Sequence, residues 1–193
     1  CVLSLSQADP ETDRDIRLCL YQCVPKGKTM ETIIRQTIEA GVSSITPVVS
    51  RYTVPVLTGA DQEKKIRRWQ TLADAAAEQS ACTVPPRINS IIRLEEIISI
   101  PADEESGIGL VFHEKKAGGK SLHRLLAGPV RTVFLVIGPE GGLSGKELET
   151  LMQKGYNTVH LGSGILRTDS ASLFAVAAVK TILLEKNSWS VQS

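Results

Sequence analysis

The sequence predicts an α/β fold built on a parallel sheet. Runs of apolar and β-branched residues alternate with helical patterns along the chain. The clearest run, TVFLVI at residues 132–137, is apolar and rich in β-branched residues, as expected for a strand buried on both faces. Two strand-to-loop-to-helix units follow one another in the last third of the sequence. Because loops at the carboxyl ends of strands form the ligand-binding edge of open α/β sheets, these two loops are the first candidates for a site.

The first half of the chain contains two predicted strand–helix pairs. A strand over residues 16–24 precedes a helix over 30–40, and a strand over 42–49 precedes the longest helix, over 61–80. The apolar stripes of these helices are Met30, Ile33, Ile34 and Ile38 in the first and Ile66, Trp69, Ala73 and Ala76 in the second. Both stripes predict helices that pack against the sheet.

The middle of the chain carries weaker signals. A Pro-Pro pair at residues 85–86 breaks the chain, and the pattern after it predicts a short helix over 90–99. A buried strand is predicted over 107–112, with His113 directly after it. At the carboxyl end of a strand, His113 fits a cofactor contact and a purely structural histidine equally well.

The two C-terminal units have clear boundaries. Residues 138–142 are too rich in glycine and proline for a helix or a strand. Ser144 and Glu147 form a capping box that predicts the start of a helix, and Gly155 is a natural stop. A strand over 157–161, an irregular loop over 162–169 and an apolar helix over about 170–184 complete the pattern.

Composition and charge limit the class of function. The 193 residues carry a net charge of +1, so any basic surface has to come from local clustering. Lys64, Lys65, Arg67 and Arg68 form one such cluster, which fits either a solvated helix face or a patch that contacts phosphates. Arg51 follows the second predicted strand and is placed to point toward a ligand. Aromatic residues make up only 4%, which argues against a stacking platform for single strands.

The four cysteines, Cys1, Cys19, Cys23 and Cys82, show no metal-ligand spacing, and no metal site is predicted. Buried reduced thiols are the expected state, which is typical of a cytoplasmic protein. The longest apolar stretch, residues 171–184, is too short to span a membrane and contains Lys180.

The glycine loop does not match the known phosphate-binding motifs. Counting back five residues from Gly145 lands on Glu140 where a P-loop needs glycine, and no GxGxxG is present. Taken alone, residues 138–142 fit a tight turn or a ligand site. Together with Leu161, Gly162, Ile165 and Leu166 they make two loops with apolar walls and exposed backbone polar groups, which suits an adenine ring and a ribose.

The two loops carry a family resemblance. IGPEGGLS, followed by LGSGILRTDSA, resembles the 16S rRNA uridine N3-methyltransferase family of the SPOUT superfamily, whose pattern is roughly IGPEGGxS and then LGxRILRxETA. KGKTMETIIRQTIEAGVSSITPVVSRYTV and WQTLADAAAEQS also match the family in order and spacing. The resemblance covers residues from about 17 to 186.

The resemblance implies a fold, a cofactor and partners. It implies a SPOUT-type parallel sheet with a C-terminal deep trefoil knot, in which the two loops hold S-adenosyl-L-methionine in a bent conformation. It also implies a cytoplasmic homodimer that acts on ribosomal RNA of the small subunit. In the family a PUA-like β-barrel precedes this domain, so residues 1–15 are expected to be its tail and linker and residues 16–193 the methyltransferase domain.

The resemblance also assigns roles to residues. Arg167, at the family's matching arginine, is expected to hold the RNA phosphate or uracil and to stabilise negative charge. Asp169, where the family has glutamate, either contributes to catalysis or caps the last helix, and Glu140 is similarly ambiguous. The cofactor site is expected to consist of His113, Ile137, Gly138, Glu140, Gly142, Leu161, Gly162, Ile165, Leu166 and Thr168. RNA contacts are expected from Arg35, Arg51, Lys64, Lys65, Arg67 and Arg68.

Several departures from the family pattern keep alternatives open. Gly164 replaces an arginine, Asp169 replaces glutamate, and Gln36 stands where the family usually has lysine. These changes remove or shorten charged groups on the RNA side, whereas the cofactor loops are nearly intact. The alternatives are a SPOUT enzyme with another RNA target, such as a ribose 2′-oxygen, and a cofactor-binding ribosome-assembly factor with weak catalysis.

Overall fold

The computed structural model describes residues 16–53, 59–80, 82, 85–100, 107–113, 121–160, 162 and 166–188. Strands and helices alternate through these ranges. The strands are β1 (Arg17–Cys23), β2 (Ser44–Val49), β3 (Arg87–Ile88), β4 (Ile92–Arg93), β5 (Ile108–Phe112), β6 (Thr132–Ile137) and β7 (Tyr156–Val159). The helices are α1 (Thr29–Glu39), α2 (Gly59–Gln79), α3 (Leu122–Leu125), α4 (Gly145–Gln153) and α5 (Thr168–Ser188).

The strands form one parallel sheet, which confirms the predicted α/β class. The order is β3-β2-β1-β6-β5-β7, and β4 also pairs with β2. Strands β1 and β6 lie in the centre, and Leu20 of β1 stands beside Leu135 of β6. Both strands are buried along nearly their full length, because helices cover both faces of the sheet.

Two apolar clusters fill the space on the two sides of the sheet. The larger contains the predicted stripes of α1 and α2 together with Val176 and Val179 of α5. The smaller contains Leu143 beside α4, Leu151 of α4 and Leu94, which begins a short 3-10 turn at Leu94–Glu96. Neighbouring residues of β6 point to opposite clusters, as the twofold period of a strand requires.

The predicted helix over residues 90–99 is wrong. This segment contains strand β4, which pairs with β2 through Ile92 and Val48, followed by the 3-10 turn. The Glu96 carboxylate accepts a hydrogen bond from the Arg93 backbone amide at 2.6 Å, which closes the turn. The buried Leu94 and Ile97 mimic the three-residue spacing of a helix face, although they belong to this turn and not to an α-helix.

The cysteines are only partly as predicted. Cys23 is buried and Cys19 half-buried, but Cys82 is exposed, so the expectation of uniformly buried thiols is wrong for that residue. Cys82 comes three residues after the end of α2, and its amide donates to the Ala77 carbonyl at 2.9 Å. Cys1 lies outside the described residues.

The longest apolar helix is α5. It spans Thr168–Ser188 and carries Asp169, Lys180 and Lys186 among its apolar residues. Within the ranges that the structure describes, no helix combines the length and the apolar character needed to cross a membrane.

The stability of the fold is expected to fall in alkaline solution because of Cys23. Burial raises the pKa of its thiol from 9.0 to about 12, against a smaller opposite effect of the hydrogen bond with Ser50. Between these two pH values the unfolded chain releases a proton that the folded chain retains. The free energy of unfolding should therefore decrease with rising pH, by at most about 1.4 kcal/mol per pH unit from this group.

Urea unfolding of the wild type and of Cys23→Ala between pH 8 and pH 11 measures this effect. The variant is expected to be less stable at pH 8 but to show a shallower decline. Burial also raises the pKa of Tyr21 and Tyr156, and both tyrosines are present in both proteins, so the difference in slope reports Cys23. Parallel declines would contradict the prediction.

Candidate active site

A cavity of about 310 Å³ opens where β5, β6 and β7 end. The glycine loop after β6 forms one wall, and the segment that leads into α5 forms another. The residues that line the cavity are Thr29, Phe112, His113, Ile137, Gly138, Pro139, Glu140, Gly142, Leu143, His160, Gly162, Leu166, Arg167, Thr168, Asp169 and Ala171.

The cavity brings together most of the residues that the sequence singled out. His113, Ile137, Gly138, Glu140, Gly142, Gly162, Leu166, Arg167, Thr168 and Asp169 all line it. Leu161, Ile165 and the substituted position Gly164 lie outside the described residues. The two loops therefore face each other across one space, as expected for loops at the carboxyl ends of neighbouring strands.

The glycine loop is held in place at both ends. The Gly142 amide donates to the Pro139 carbonyl at 2.9 Å, and Gly142 adopts a φ of +71°, which side chains with a Cβ rarely reach. The predicted capping box is present, since the Ser144 hydroxyl accepts from the Glu147 amide and the Glu147 carboxylate accepts from the Ser144 amide. Leu143 between them is buried in the smaller apolar cluster.

The start of α5 is fixed onto the centre of the sheet. The Ser172 hydroxyl donates to the Thr168 carbonyl at 2.7 Å and lies 2.6 Å from Oε1 of Gln22 in β1. Gln22 and Ser172 are both fully buried, so this polar contact is shielded from water. The contact sets the position of the residues just before it, which line the cavity.

Arg167 and Asp169 lie close together but in different environments. The Arg167 side chain is 85% exposed, and its Nε lies 3.8 Å from Oδ1 of Asp169. That oxygen is buried and has no hydrogen-bond partner in the part of the chain that the structure describes. Because α5 begins at Thr168 and Arg167 supplies the carbonyl that accepts from the Ala171 amide, Asp169 is not at the N-cap position. The predicted capping role for Asp169 is therefore wrong, although its charge is favourable in the first turn.

His160 is a cavity residue that the sequence prediction missed. It follows β7 directly, and its Nδ1 is buried without a hydrogen-bond partner among the described residues. The sequence placed His160 inside a predicted strand over 157–161, whereas the strand in fact ends at Val159, one residue before it. The His113 amide donates to the Val159 carbonyl at 3.0 Å, so both histidines stand where neighbouring strands end. The cavity has five other lining residues. Pro139 lies inside the predicted loop over 138–142 and Leu143 directly after it, whereas Thr29, Phe112 and Ala171 carried no separate signal.

Glu140 stands at the edge of the cavity. It is exposed, and its Oε1 accepts a hydrogen bond from the Lys26 amide at 3.0 Å. This contact ties the glycine loop to the turn between β1 and α1. Within the described ranges no group of three or more His, Cys, Asp or Glu side chains is placed to hold a metal ion.

The predicted RNA-contacting residues lie outside the cavity. Arg35, Arg51, Lys64, Arg67 and Arg68 are exposed and Lys65 is half-buried. Arg68 contacts Glu31 of α1 at 2.7 Å, and Arg67 lies 3.8 Å from Glu63 within α2. Two members of the basic run therefore take part in ion pairs, as a solvated helix face would.

Arg51 belongs to the turn after β2 and is separate from the basic run on α2. Its guanidinium carbon is 5.8 Å from the centre of the Tyr52 ring. A Cβ placed on Gly141 would lie 3.2 Å from the Tyr52 Cβ, so the turn after β2 packs directly on the glycine loop. Arg51 and Tyr52 thus stand beside the cavity.

Comparison with known proteins indicates which family the chain belongs to. Residues 12–180 match the family model described as RNA methyltransferase domain. Curated relatives named ribosomal RNA small subunit methyltransferase E include those of Aquifex aeolicus and Bacillus subtilis. The Aquifex aeolicus relative is 34% identical over 168 residues, which are 86% of this chain and 68% of the relative. The Bacillus subtilis relative is 29% identical over 167 residues, which are 85% of this chain and 65% of the relative. The chain thus spans about two thirds of the length of these relatives.

A solved structure agrees with the sequence comparison. The ribosomal RNA small subunit methyltransferase E of Neisseria gonorrhoeae, solved bound to S-adenosyl methionine, superimposes with a TM-score of 0.77 at 28% identity. The match covers 86% of this chain and 66% of that one. The family model, the curated relatives and the parallel sheet lead to the same assignment, and the chain belongs to the RNA methyltransferase domain family that includes ribosomal RNA small subunit methyltransferase E.

Proposed function

We propose that this chain is an S-adenosyl-L-methionine-dependent methyltransferase that modifies N3 of a specific uridine in 16S ribosomal RNA. The observation that carries the proposal is the cavity between the glycine loop and the start of α5, with Arg167 and Asp169 at its edge. The relatives' names supply the substrate class, and the Neisseria gonorrhoeae structure supplies the cofactor.

The residues of the cavity fit this cofactor. Ile137 and Leu166 offer apolar walls for an adenine ring, whereas Gly142 and Gly162, both with positive φ, carry no side chain and let a ligand approach the backbone closely. Nδ1 of His160 and Oδ1 of Asp169 are buried polar atoms without partners in the described part of the chain, and ribose hydroxyls or an amino group would satisfy them. The remaining proposed cofactor contacts are His113, Gly138, Glu140, Leu161, Ile165 and Thr168.

The chain's own residues supply positioning and charge. The bound cofactor supplies a methyl group on a sulfonium, which is already reactive toward an aligned nucleophile, so alignment is the main task of the protein. Uracil N3 has to lose a proton, and the Asp169 carboxylate is the proposed acceptor. The Arg167 guanidinium projects into solvent at the cavity edge, where it can bind a phosphate or a uracil oxygen and stabilise the negative charge that remains.

RNA has to present a single base to this cavity. The N3 edge of uracil is hidden in paired or stacked RNA, so the base is splayed out of its stack before it reacts. Arg51 lies beside the cavity and is the proposed contact for the nearest phosphates. Arg35, Lys64, Lys65, Arg67 and Arg68 form the proposed outer contacts along α1 and α2.

The resemblance also carries proposals about assembly. We propose a deep trefoil knot around the C-terminal loops; the packing of α5 on α1 and β6, away from the edge strand β7, is compatible with such a path. A homodimer in the cytoplasm is proposed as well, and exposed apolar side chains on α5, Phe174 at 51% and Leu184 at 42%, support burial of this helix against a second copy. Residues 16–193 are proposed as the methyltransferase domain and residues 1–15 as the end of a PUA-like domain.

Calorimetric titration followed by a methylation assay tests the proposal. The folded chain is expected to bind S-adenosylmethionine and S-adenosylhomocysteine at micromolar levels and to methylate uracil N3 in unmodified small ribosomal subunits. Product on a ribose 2′-oxygen would instead indicate a SPOUT enzyme with another target. Cofactor binding without any product, with the full N-terminal domain present, would favour an assembly factor, and a folded chain that binds no cofactor would overturn the enzyme assignment.

A further inference from the structure

Glu147 is a buried carboxylate with more hydrogen bonds than a helix cap requires. The residue is only 7% exposed to solvent. Oε2 accepts from the Ser144 amide at 2.8 Å and from the Ser144 hydroxyl at 2.7 Å, which completes the capping box of α4. Oε1 accepts from the backbone amide of Arg51 at 2.7 Å. The second oxygen therefore connects α4 to a turn that lies 96 residues earlier in the chain.

The turn that Glu147 holds is itself well ordered. The Thr53 amide donates to the Ser50 carbonyl at 3.0 Å, and the Ser50 amide donates to Oγ1 of Thr53 at 2.9 Å. These bonds fix the shape of the turn but not its place on the protein. Its place depends on the hydrogen bond from the Arg51 amide to the buried Glu147 carboxylate, together with the side-chain hydrogen bond between Ser50 and Cys23 of β1.

The position of the turn matters because of what it carries. Tyr52 is 47% exposed and packs on Gly141, whose neighbours Glu140 and Gly142 both line the cavity. The Arg51 guanidinium lies over the Tyr52 ring, so a cation and an aromatic ring stand together beside the glycine loop. Such a pair can contact a phosphate and a neighbouring base at once.

We infer that Glu147 is a positioning residue that holds the Arg51–Tyr52 pair in register with the glycine loop, and so sets where RNA lies relative to the methyl donor. The inference rests on the proposed function, and it adds Tyr52 as an RNA contact. One carboxylate joins the two sides of the site: Oε2 fixes the end of the glycine loop and Oε1 fixes the RNA-side turn.

Three variants of the chain separate positioning from simple stabilisation. Glu147→Ala removes both links, whereas Ser144→Ala weakens the cap but leaves the Arg51 amide bound to Glu147. Arg51→Ala removes the guanidinium and keeps the backbone amide. The measurements are amide hydrogen exchange of the turn, affinity for purified small ribosomal subunits, and affinity for S-adenosylmethionine.

Exchange at the Arg51 amide is expected to rise at least about tenfold in Glu147→Ala and to stay near the wild-type rate in Ser144→Ala. Affinity for the ribosomal subunit should fall about tenfold in Glu147→Ala and by less than about twofold in Ser144→Ala. When Glu147→Ala is added to Arg51→Ala, the affinity for the ribosomal subunit should fall by no more than about threefold further. The guanidinium that Glu147 positions is already absent from that variant.

Two results would overturn the inference. Equal losses of ribosome affinity in Ser144→Ala and Glu147→Ala would show that Glu147 acts only as a helix cap. Unchanged exchange at Arg51 in Glu147→Ala would show that other contacts hold the turn. Failure of the proposed function looks different, because the wild type itself would then bind no cofactor or would give no methylated uracil N3, while the exchange measurement would still report on the link.

Discussion

Replacing Arg167 by alanine is expected to abolish methyl transfer, with a loss of at least about a hundredfold, and to leave affinity for S-adenosylmethionine within about tenfold. The guanidinium is 85% exposed and is attached at the edge of the cavity, so it is available to RNA more than to the apolar walls. Its contact with Asp169 is long, at 3.8 Å, and the guanidinium is largely in solvent, so the pair contributes little stability. The fold should therefore survive the substitution.

Two further variants show what the arginine contributes. Arg167→Lys keeps the charge but loses the planar fork of donors, so activity between those of the wild type and Arg167→Ala would indicate paired hydrogen bonds to RNA. Arg131→Ala is the matched control, because Arg131 is an exposed arginine that precedes β6 and so lies at the opposite edge of the sheet. Single-turnover methylation measures the rate of methyl transfer, and calorimetry separately measures the affinity for S-adenosylmethionine. Near-normal methylation by Arg167→Ala would rule out a catalytic role.

The central part of the fold could be predicted because burial on both faces leaves a direct trace in sequence. Strand β6 has no polar face to present, so the five residues after Thr132 form one apolar run. The segment at residues 90–99 failed for the opposite reason. Edge strand β4 is only two residues long, and the apolar spacing around Leu94 fits a helix face as well as a 3-10 turn. What decides between them is the pairing of Ile92 with Val48, which local sequence does not reveal.

The candidate site was predictable where it depends on chain order and obscure where it depends on tertiary contacts. Loops that follow parallel strands lie at the same edge of the sheet, so the glycine loop and the residues around Arg167 could be placed together from the sequence. His160 escaped because its role depends on where β7 ends. The ion pair between Arg68 and Glu31 joins two helices, and no pattern within either helix indicates it.

Glu147 shows the same limit within a single side chain. The capping box with Ser144 follows from residues three apart and was predicted. The hydrogen bond to the Arg51 amide depends on how β2 lies beside the rest of the sheet. Sequence therefore accounted for one carboxylate oxygen and not for the other.

Replacing Gly142 by valine is expected to lower the affinity for S-adenosylmethionine more than about tenfold while the protein stays folded. The φ of +71° is unfavourable for a β-branched residue, at a cost of order 1–3 kcal/mol, so the loop should shift to relieve it. A Cβ at this position would meet no atom within 4 Å, so steric clash in the core is not the cause. The shift would instead break the bond from the Gly142 amide to the Pro139 carbonyl and move the cavity wall.

Gly145→Val is the matched control for Gly142→Val. Gly145 is the first residue of α4, a Cβ there would also meet no atom within 4 Å, and its φ is not positive. Calorimetric titration with S-adenosylmethionine and S-adenosylhomocysteine, together with thermal unfolding, compares the two variants. If Gly142→Val binds both ligands as the wild type does, the glycine loop is a turn and not a ligand contact. The cofactor would then have to be held from the side of His160 and α5, and the loop would serve only to support the Arg51–Tyr52 pair.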